Sequence, residues 1–315
     1  MAEQEYSPIR VNTLRGDLKI PFDIYIKVGD RYIHYCRSGD SFEGKRLERL
    51  KSKKLKKMYI RPEDEIPYAQ YMEQNIDAAY DSKSGKSLEV RAEVIQGFQQ
   101  ASAEQFMEEP TNELGYNHVR SSVQRFIEFI EKQPKAALPV LRMQNTDFSV
   151  THHSVSVATL TTLMTLNSKL KENNKLHLLG LGCMLHDIDH FTTEFDLSIP
   201  LDQLSKEQLA FYREHPRRGA QRLQTLSFID QIVMNVILQH EEYINGSGSP
   251  KGLFEKEIEP VVLIAATANA YDRLISFHGL SPKEAMKSLM IEKTGLLPLE
   301  HLKSLQALLK SLQLI

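Results

Sequence analysis

Five segments in the second half of the chain each carry a side chain able to bind a transition metal. "SVTHHSVSVATL" holds His152 and His153, and "CMLHDIDH" holds His186, Asp187, Asp189 and His190. "FYREHPRRGA" holds His215, "IVMNVILQHEEY" holds His240 and Glu241, and "LIAATANAYDRL" holds Asn269 and Asp272. Successive members stand roughly 25–35 residues apart, about one helix and its return in a bundle. Several helices can thus each point one residue at a single interior spot. Nine of the eleven histidines follow residue 150, so acid–base or metal chemistry belongs to that half.

Helix phase agrees with convergence. Ile229, Val233, Val236 and His240 recur at helical spacing, which places His240 on an apolar stripe. Ala265, Ala268 and Asp272 share a face, with Asn269 one turn after Ala265. Gly180, Gly182 and Cys183 are small and permit close helix approach beside His186. A buried Asp without a partner is costly. One inward histidine is ordinarily a hydrogen-bonded core residue; five inward His or Asp positions together call for a cation. His34, His118, His177 and His301 lack such context and read as surface or incidental. Imidazole and carboxylate without thiolate suits Fe, Mn, Zn or Ni. Two metals sharing a carboxylate would stabilise the attacking and leaving oxygens of phosphoester cleavage.

The elements that must position these residues are legible. Strands are expected at "FDIYIKV" (22–28), "RYIHYC" and "MYIRP", the first two as a hairpin around "GD". A basic helix is expected through 44–57, its lysine cluster at 51–57 forming a solvated face. Helical pattern follows from about 66 to 145, interrupted at 81–87, 108–116 and 131–139. From about 146 no strand is expected. "SKEQ" (205–208) is a capping box, "SFID" (227–230) a looser one, and "SPKE" (281–284) adds Pro at the first helical position. The fold class is α+β overall: a small N-terminal α/β domain at 1–65, a helical linker at 66–109, and an all-α helical bundle at 110–315.

Composition narrows the function classes. The chain has 315 residues, 41% hydrophobic and 25% charged, with 39 basic and 41 acidic side chains for a formal charge of −2. That balance argues against a nucleic acid polymer as partner. The longest apolar run, "VVLIAATA", is far below the ~20 residues of a membrane span. The first residues lack a signal-peptide pattern. Cys36 and Cys183 form no disulfide or zinc pattern. A cytoplasmic protein is expected.

His186–Asp187, with "HHSVSVA" upstream, "HP" at 215–216 and "HEEYINGSGSP" at 240–250, resembles the HD-GYP branch of the HD-domain phosphohydrolases over roughly residues 110–315. The likeness extends to the unconventional form in which the GYP tyrosine is missing. It implies an HD-type bundle with two, sometimes three, metals, usually iron or manganese. It also implies cyclic di-GMP, a bacterial second messenger, as the phosphodiester substrate. Carried over by motif, the metal ligands are His153, His186, Asp187 (bridging), His215 and His240, completed by Asn269 or Asp272, with Glu241 as a further oxygen donor. Asp187 and His190 would be catalytic; His190, Ser249 and His278 would face the substrate.

Departures from the family pattern concentrate in the substrate pocket. Ser149 stands where trinuclear members have Glu, which argues for two metals. His190 replaces a lysine, Ser249 the tyrosine, and His278 and Ser281 two arginines, so bidentate phosphate recognition is lost there. The favoured reading is a two-metal phosphodiesterase for cyclic di-GMP or a related phosphoester, most simply a di-iron one. The alternative is a degenerate domain that binds a nucleotide or protein partner in signalling with little catalysis. An HD-type nucleotidase ranks last, because it leaves "NGSGSP" unexplained. The Gly-rich 245–250 loop is expected to fold over the metals as a lid, with Asn245-Gly246 and Gly248 permitting positive φ. The N-terminal domain would regulate, through signalling partners.

Overall fold

The structure is a computed structural model that describes residues 6–16, 18–42, 46–52, 55, 57–145, 148–170, 175–193 and 195–315. The chain divides into two compact units, Met1–Ala101 and Ser102–Ile315.

In the first unit, β1 (Ser7–Arg10), β2 (Ile24–Val28), β3 (Arg31–Cys36) and β4 (Lys57–Ile60) form an antiparallel sheet in the order β1-β4-β2-β3. The expected hairpin joins β2 to β3, with Gly29 at φ 60° in its turn. Alternation puts Ile9, Ile24, Met58 and Ile60 on the core face. Phe22 is wholly buried but lies before the strand, which starts two residues later than its pattern suggests. The adjoining Asp23 accepts the Ser38 N–H instead. The basic helix is α1 (Arg46–Ser52), shorter than expected; residues 53, 54 and 56 of its lysine cluster lie outside the described residues. Two long helices follow, α2 (Glu65–Tyr80) and α3 (Leu88–Glu108), separated at the expected "DSKSGKS" break.

The second unit is helical: α4 (Glu113–Lys132), α5 (Ala137–Arg142), α6 (Val150–Leu166), α7 (Leu176–Leu185), α8 (Ile188–Thr192), α9 (Lys206–Arg213), α10 (His215–Leu223), α11 (Gln231–Gln239), α12 (Pro260–Ser276), α13 (Pro282–Lys293) and α14 (Leu299–Ser311). Among its described residues no regular strand occurs. Helix α6 is its axis: every residue from 151 to 165 is buried. Its hydroxyls survive burial by bonding backward, Thr159 to the Val155 carbonyl and Thr162 to that of Ala158, both at 2.7 Å. Helices α7 and α12 pack against α6, and α11 packs on α7.

Small residues set those distances. A Cβ on Gly182 would lie 2.7 Å from Val236 Cβ of α11, and one on Gly180 2.8 Å from Ile127 Cδ1 of α4. The capping boxes at Ser205–Gln208 and Ser281–Glu284 form as expected. "SFID" does not act as a side-chain cap: the Asp230 carboxylate accepts the Tyr116 hydroxyl at 3.0 Å and pairs with Arg120 at 3.3 Å. Among the described residues no helix is long and apolar enough to cross a membrane.

Candidate metal centre

Three of the four central imidazoles sit where a helix stops. His186 follows the last residue of α7, His240 follows the last residue of α11, and His215 comes two residues after α9. Carbonyls at helix ends lack intrahelical donors. Each ring donates its Nδ1–H to the carbonyl three residues back: His186 to Cys183 at 2.7 Å, His215 to Tyr212 at 2.7 Å, His240 to Ile237 at 2.9 Å. His153, in the first turn of α6, donates its Nδ1–H to Asp272 Oδ2 at 2.7 Å. The Ser276 hydroxyl donates to the same oxygen, also at 2.7 Å. With every Nδ1 engaged, all four Nε2 atoms present lone pairs.

Those lone pairs converge on Asp187, which is 6% exposed. Its Oδ1 is 3.3 Å from His215 Nε2 and 3.5 Å from His240 Nε2; its Oδ2 is 3.4 Å from His186 Nε2 and 3.8 Å from His153 Nε2. The donors therefore form two groups, His153–His186–Asp187 and Asp187–His215–His240, with one carboxylate common to both. Burial alone would push the Asp187 carboxyl up, but the surrounding His186, His215 and His240 outweigh it and hold it well below the usual range.

These residues fit metals on geometric grounds. His215 Nε2 and His240 Nε2 lie 2.9 Å apart, and His153 Nε2 lies 2.8 Å from Asn269 Oδ1. The Asn269 amide nitrogen is turned away, donating to Glu241 Oε1 at 3.1 Å. Acceptor thus faces acceptor twice, which is repulsive without a cation between them. His186 Nε2 is buried with no hydrogen-bond partner. A set of imidazole nitrogens and carboxylate oxygen is borderline in softness, suited to Fe, Mn, Zn or Ni.

The remaining expected site residues fall in different places. Asn269 joins the lone-pair side of His153, whereas Asp272 stands behind that ring and orients it. Glu241 belongs to neither donor group; its Oε1 accepts the Tyr212 hydroxyl at 2.7 Å as well as the Asn269 amide. The His190 ring is tilted 34° against that of His215, with centroids 4.2 Å apart, and stacks on the Tyr212 ring, with neither ring nitrogen hydrogen-bonded. Burial, and after it the neighbouring His215, push its pKa well below the ordinary value, which holds this imidazole neutral. His278 has a buried, unpartnered Nε2. Ser249 donates its backbone N–H to the Glu241 carbonyl at 3.0 Å. Ser281 caps α13, and Ser149 caps α6. His152 turns to the Met143 carbonyl at 3.2 Å, and Asp189 is salt-bridged to Arg218 at 2.7 Å; both serve packing.

The Gly-rich loop is pinned. The fully buried Glu242 carboxylate accepts the Lys251 N–H at 2.7 Å and the Leu253 N–H at 2.9 Å. Gly246 adopts φ 79°, as expected, but Gly248 is required for a different reason: a Cβ there would come 2.3 Å from the Tyr243 nitrogen. Sequence reasoning assigned nothing to Glu242, Tyr212 or Arg273. For Arg273 a signal existed, a cation directly after Asp272 on an otherwise apolar helix.

Comparison with known proteins places this geometry among relatives. The HD domain family matches residues 140–294. The Cyclic di-GMP phosphodiesterase PA4108 of Pseudomonas aeruginosa is 28% identical over 160 residues, 50% of this chain and 38% of that protein. The Cyclic di-GMP phosphodiesterase response regulator RpfG of Xanthomonas campestris is 25% identical over 103 residues, 32% of this chain and 27% of that protein. The chain thus spans well under half the length of the curated relatives it matches. A solved structure, Bd1817, an HDG"Y"P protein from Bdellovibrio bacteriovorus, is 45% identical with a TM-score of 0.90, covering 97% of this chain and 100% of that one.

Proposed function

The chain belongs to the HD-GYP branch of the HD-domain family, and we propose that it is a metal-dependent phosphohydrolase that cleaves cyclic di-GMP or a closely related phosphoester at a di-iron or di-manganese centre. One observation carries this reading: both oxygens of Asp187 are committed, each to a separate pair of imidazoles. A carboxylate shared in that way could serve two metals at once. The relatives named as cyclic di-GMP phosphodiesterases supply the substrate class.

In this reading His153, His186 and Asp187, with the Asn269 carbonyl, hold one metal, and Asp187, His215 and His240 hold the other. Metals held there would supply Lewis acidity to the phosphoryl group and offset the charge developing on its oxygens. The protein does the rest. Asp272 keeps His153 in the tautomer that leaves Nε2 free, and the helix-end carbonyls do the same for the other three rings. His190, neutral and with unbonded ring nitrogens, offers an N–H to the leaving oxygen. Ser249 and His278 border the substrate. The N-terminal sheet unit regulates the centre through a signalling partner.

The decisive experiment loads the protein with iron or manganese, measures metal per chain, and follows cyclic di-GMP by chromatography. Formation of the linear dinucleotide or GMP, lost in Asp187→Asn, is the expected result. Full loading without turnover of any cyclic dinucleotide would leave a binding role in signalling instead.

A further inference from the structure

Buried polar atoms without partners gather around the centre. They include Nε2 of His186, both ring nitrogens of His190, Nε2 of His278, and Nε and Nη2 of Arg273. A metal accounts for His186. Nothing yet described accounts for the guanidinium.

Arg273 lies on α12, one residue beyond Asp272 and one turn beyond Asn269, and is 9% exposed. Its Nη1 donates to the Tyr212 hydroxyl, and its Cζ lies 4.4 Å from the centre of the Tyr212 ring. Tyr212 in turn donates to Glu241 and packs its ring 4.8 Å from His215. The guanidinium is therefore fixed against the wall of the metal centre at one end only. Burial would favour losing its charge, but Tyr212, Glu241 and Asp187 nearby outweigh that and keep it a cation.

A structural reading of Arg273 as the counter-ion of Glu241 leaves the problem unsolved. The hydrogen bonds recorded at Glu241 Oε1 come from Tyr212 and Asn269, and Arg273 Nε and Nη2 remain unbonded. Leaving two charged donors dry is costly. Nε–H and the adjacent Nη2–H form the side-on edge of the guanidinium, whose parallel donors match two oxygens of one phosphate.

We infer that Arg273 is the oxyanion-binding residue of this centre, its Nε–Nη2 edge receiving two non-bridging oxygens of the phosphoester seated at the metals. The inference rests on the phosphohydrolase reading and adds a substrate-gripping guanidinium to a pocket in which His278 and Ser281 replace two arginines. Tyr212 is its positioning residue, holding the third nitrogen and leaving the Nε–Nη2 edge unbonded.

The test is calorimetric titration of inorganic phosphate into manganese-loaded wild type, Arg273→Gln and Arg273→Lys, with metal content and circular dichroism measured on each. The expected result is a loss of phosphate affinity of roughly tenfold or more in Arg273→Gln, as for removal of charge-assisted bonds. Arg273→Lys should lose less, since an ammonium keeps the charge without the fork. Metal per chain should not change. Equal phosphate binding by wild type and Arg273→Gln, or none by wild type, overturns the inference; so does a fall in metal content that matches the loss of phosphate. Should Arg273→Gln not fold, the comparison of wild type with Arg273→Lys decides. Wild type that binds phosphate through Arg273 yet leaves cyclic di-GMP intact would remove the phosphodiesterase reading while the subsite stands.

Discussion

His215 Nε2 and His240 Nε2 face each other at 2.9 Å, although each ring already donates its Nδ1–H to its own backbone. Two lone pairs at that distance repel each other unless a cation lies between them. Asp187 Oδ1 completes it at 3.3 and 3.5 Å.

Asp187→Asn keeps the shape of the side chain and removes the charge common to both donor groups. Metal content measured by elemental analysis should fall below two per chain, and any hydrolysis should drop by about 100-fold or more, since even orienting partners are worth about 10–100-fold. Retention of two metals at full affinity would contradict the shared-carboxylate geometry.

Asp272→Asn acts through His153. An amide can turn its N–H toward Nδ1, which favours the tautomer with the proton on Nε2, where the metal should bind. A loss of about 10–100-fold in metal affinity is expected, confined to one of the two metals. Equal weakening of both sites in a competitive chelator titration would place Asp272 in a different role.

Gly182→Ala tests the spacing of α7 and α11. The new Cβ would meet Val236 Cβ at 2.7 Å, one turn below His186 on α7 and one turn below His240 on α11. Overpacking of this kind costs about 1–3 kcal/mol, a fall of several degrees in melting temperature at about 2–4 °C per kcal/mol. Metal affinity should fall with it. Gly180→Ala meets the flexible Ile127 side chain of α4, at 2.8 Å from Cδ1 and 3.1 Å from Cγ1, rather than a neighbour of a histidine donor; it should cost less stability and leave metal binding alone.

Acid should destabilise the metal-free protein through His190. Its folded pKa is depressed, chiefly by burial and then by His215. Below the unfolded value of about 6.5, the unfolded chain takes a proton that the native ring refuses, so stability falls as pH falls. The slope approaches about 1.4 kcal/mol per pH unit for one such group. His240, also depressed mainly by burial, adds in the same direction. His190→Gln should flatten the acid limb of melting temperature against pH; an unchanged limb would mean that His190 is already protonated in the native state.

Much of the bundle was legible because its signals are local. Ser205 and Ser281 announce helix starts through the residues three positions on, and Gly180 and Gly182 announce close approach. Helical phase brought His153, His186, His215 and His240 to one interior. Phase could not separate Asn269 from Asp272: both face His153, and only the ring orientation distinguishes its metal side from its back. Nor could it pair Arg273 with Tyr212 across 61 residues, since neither has a sequence pattern that names the other. The loop after His240 was read from its glycines, which report backbone freedom. The tether, Glu242, was invisible because a carboxylate's hydrogen bonds to distant backbone leave no periodic trace.

Seating imidazoles at helix ends has an evolutionary consequence. The positions of His186 and His240 are set by where α7 and α11 terminate, and that of His215 by the one-residue junction at which α9 gives way to α10. Only the long connection after His240 can be lengthened, shortened or rewritten while the donor groups stay put, because Asp187 itself joins α7 to α8 and a single residue joins α9 to α10. A bundle built this way can change the side chains around its two donor groups without moving the donors themselves.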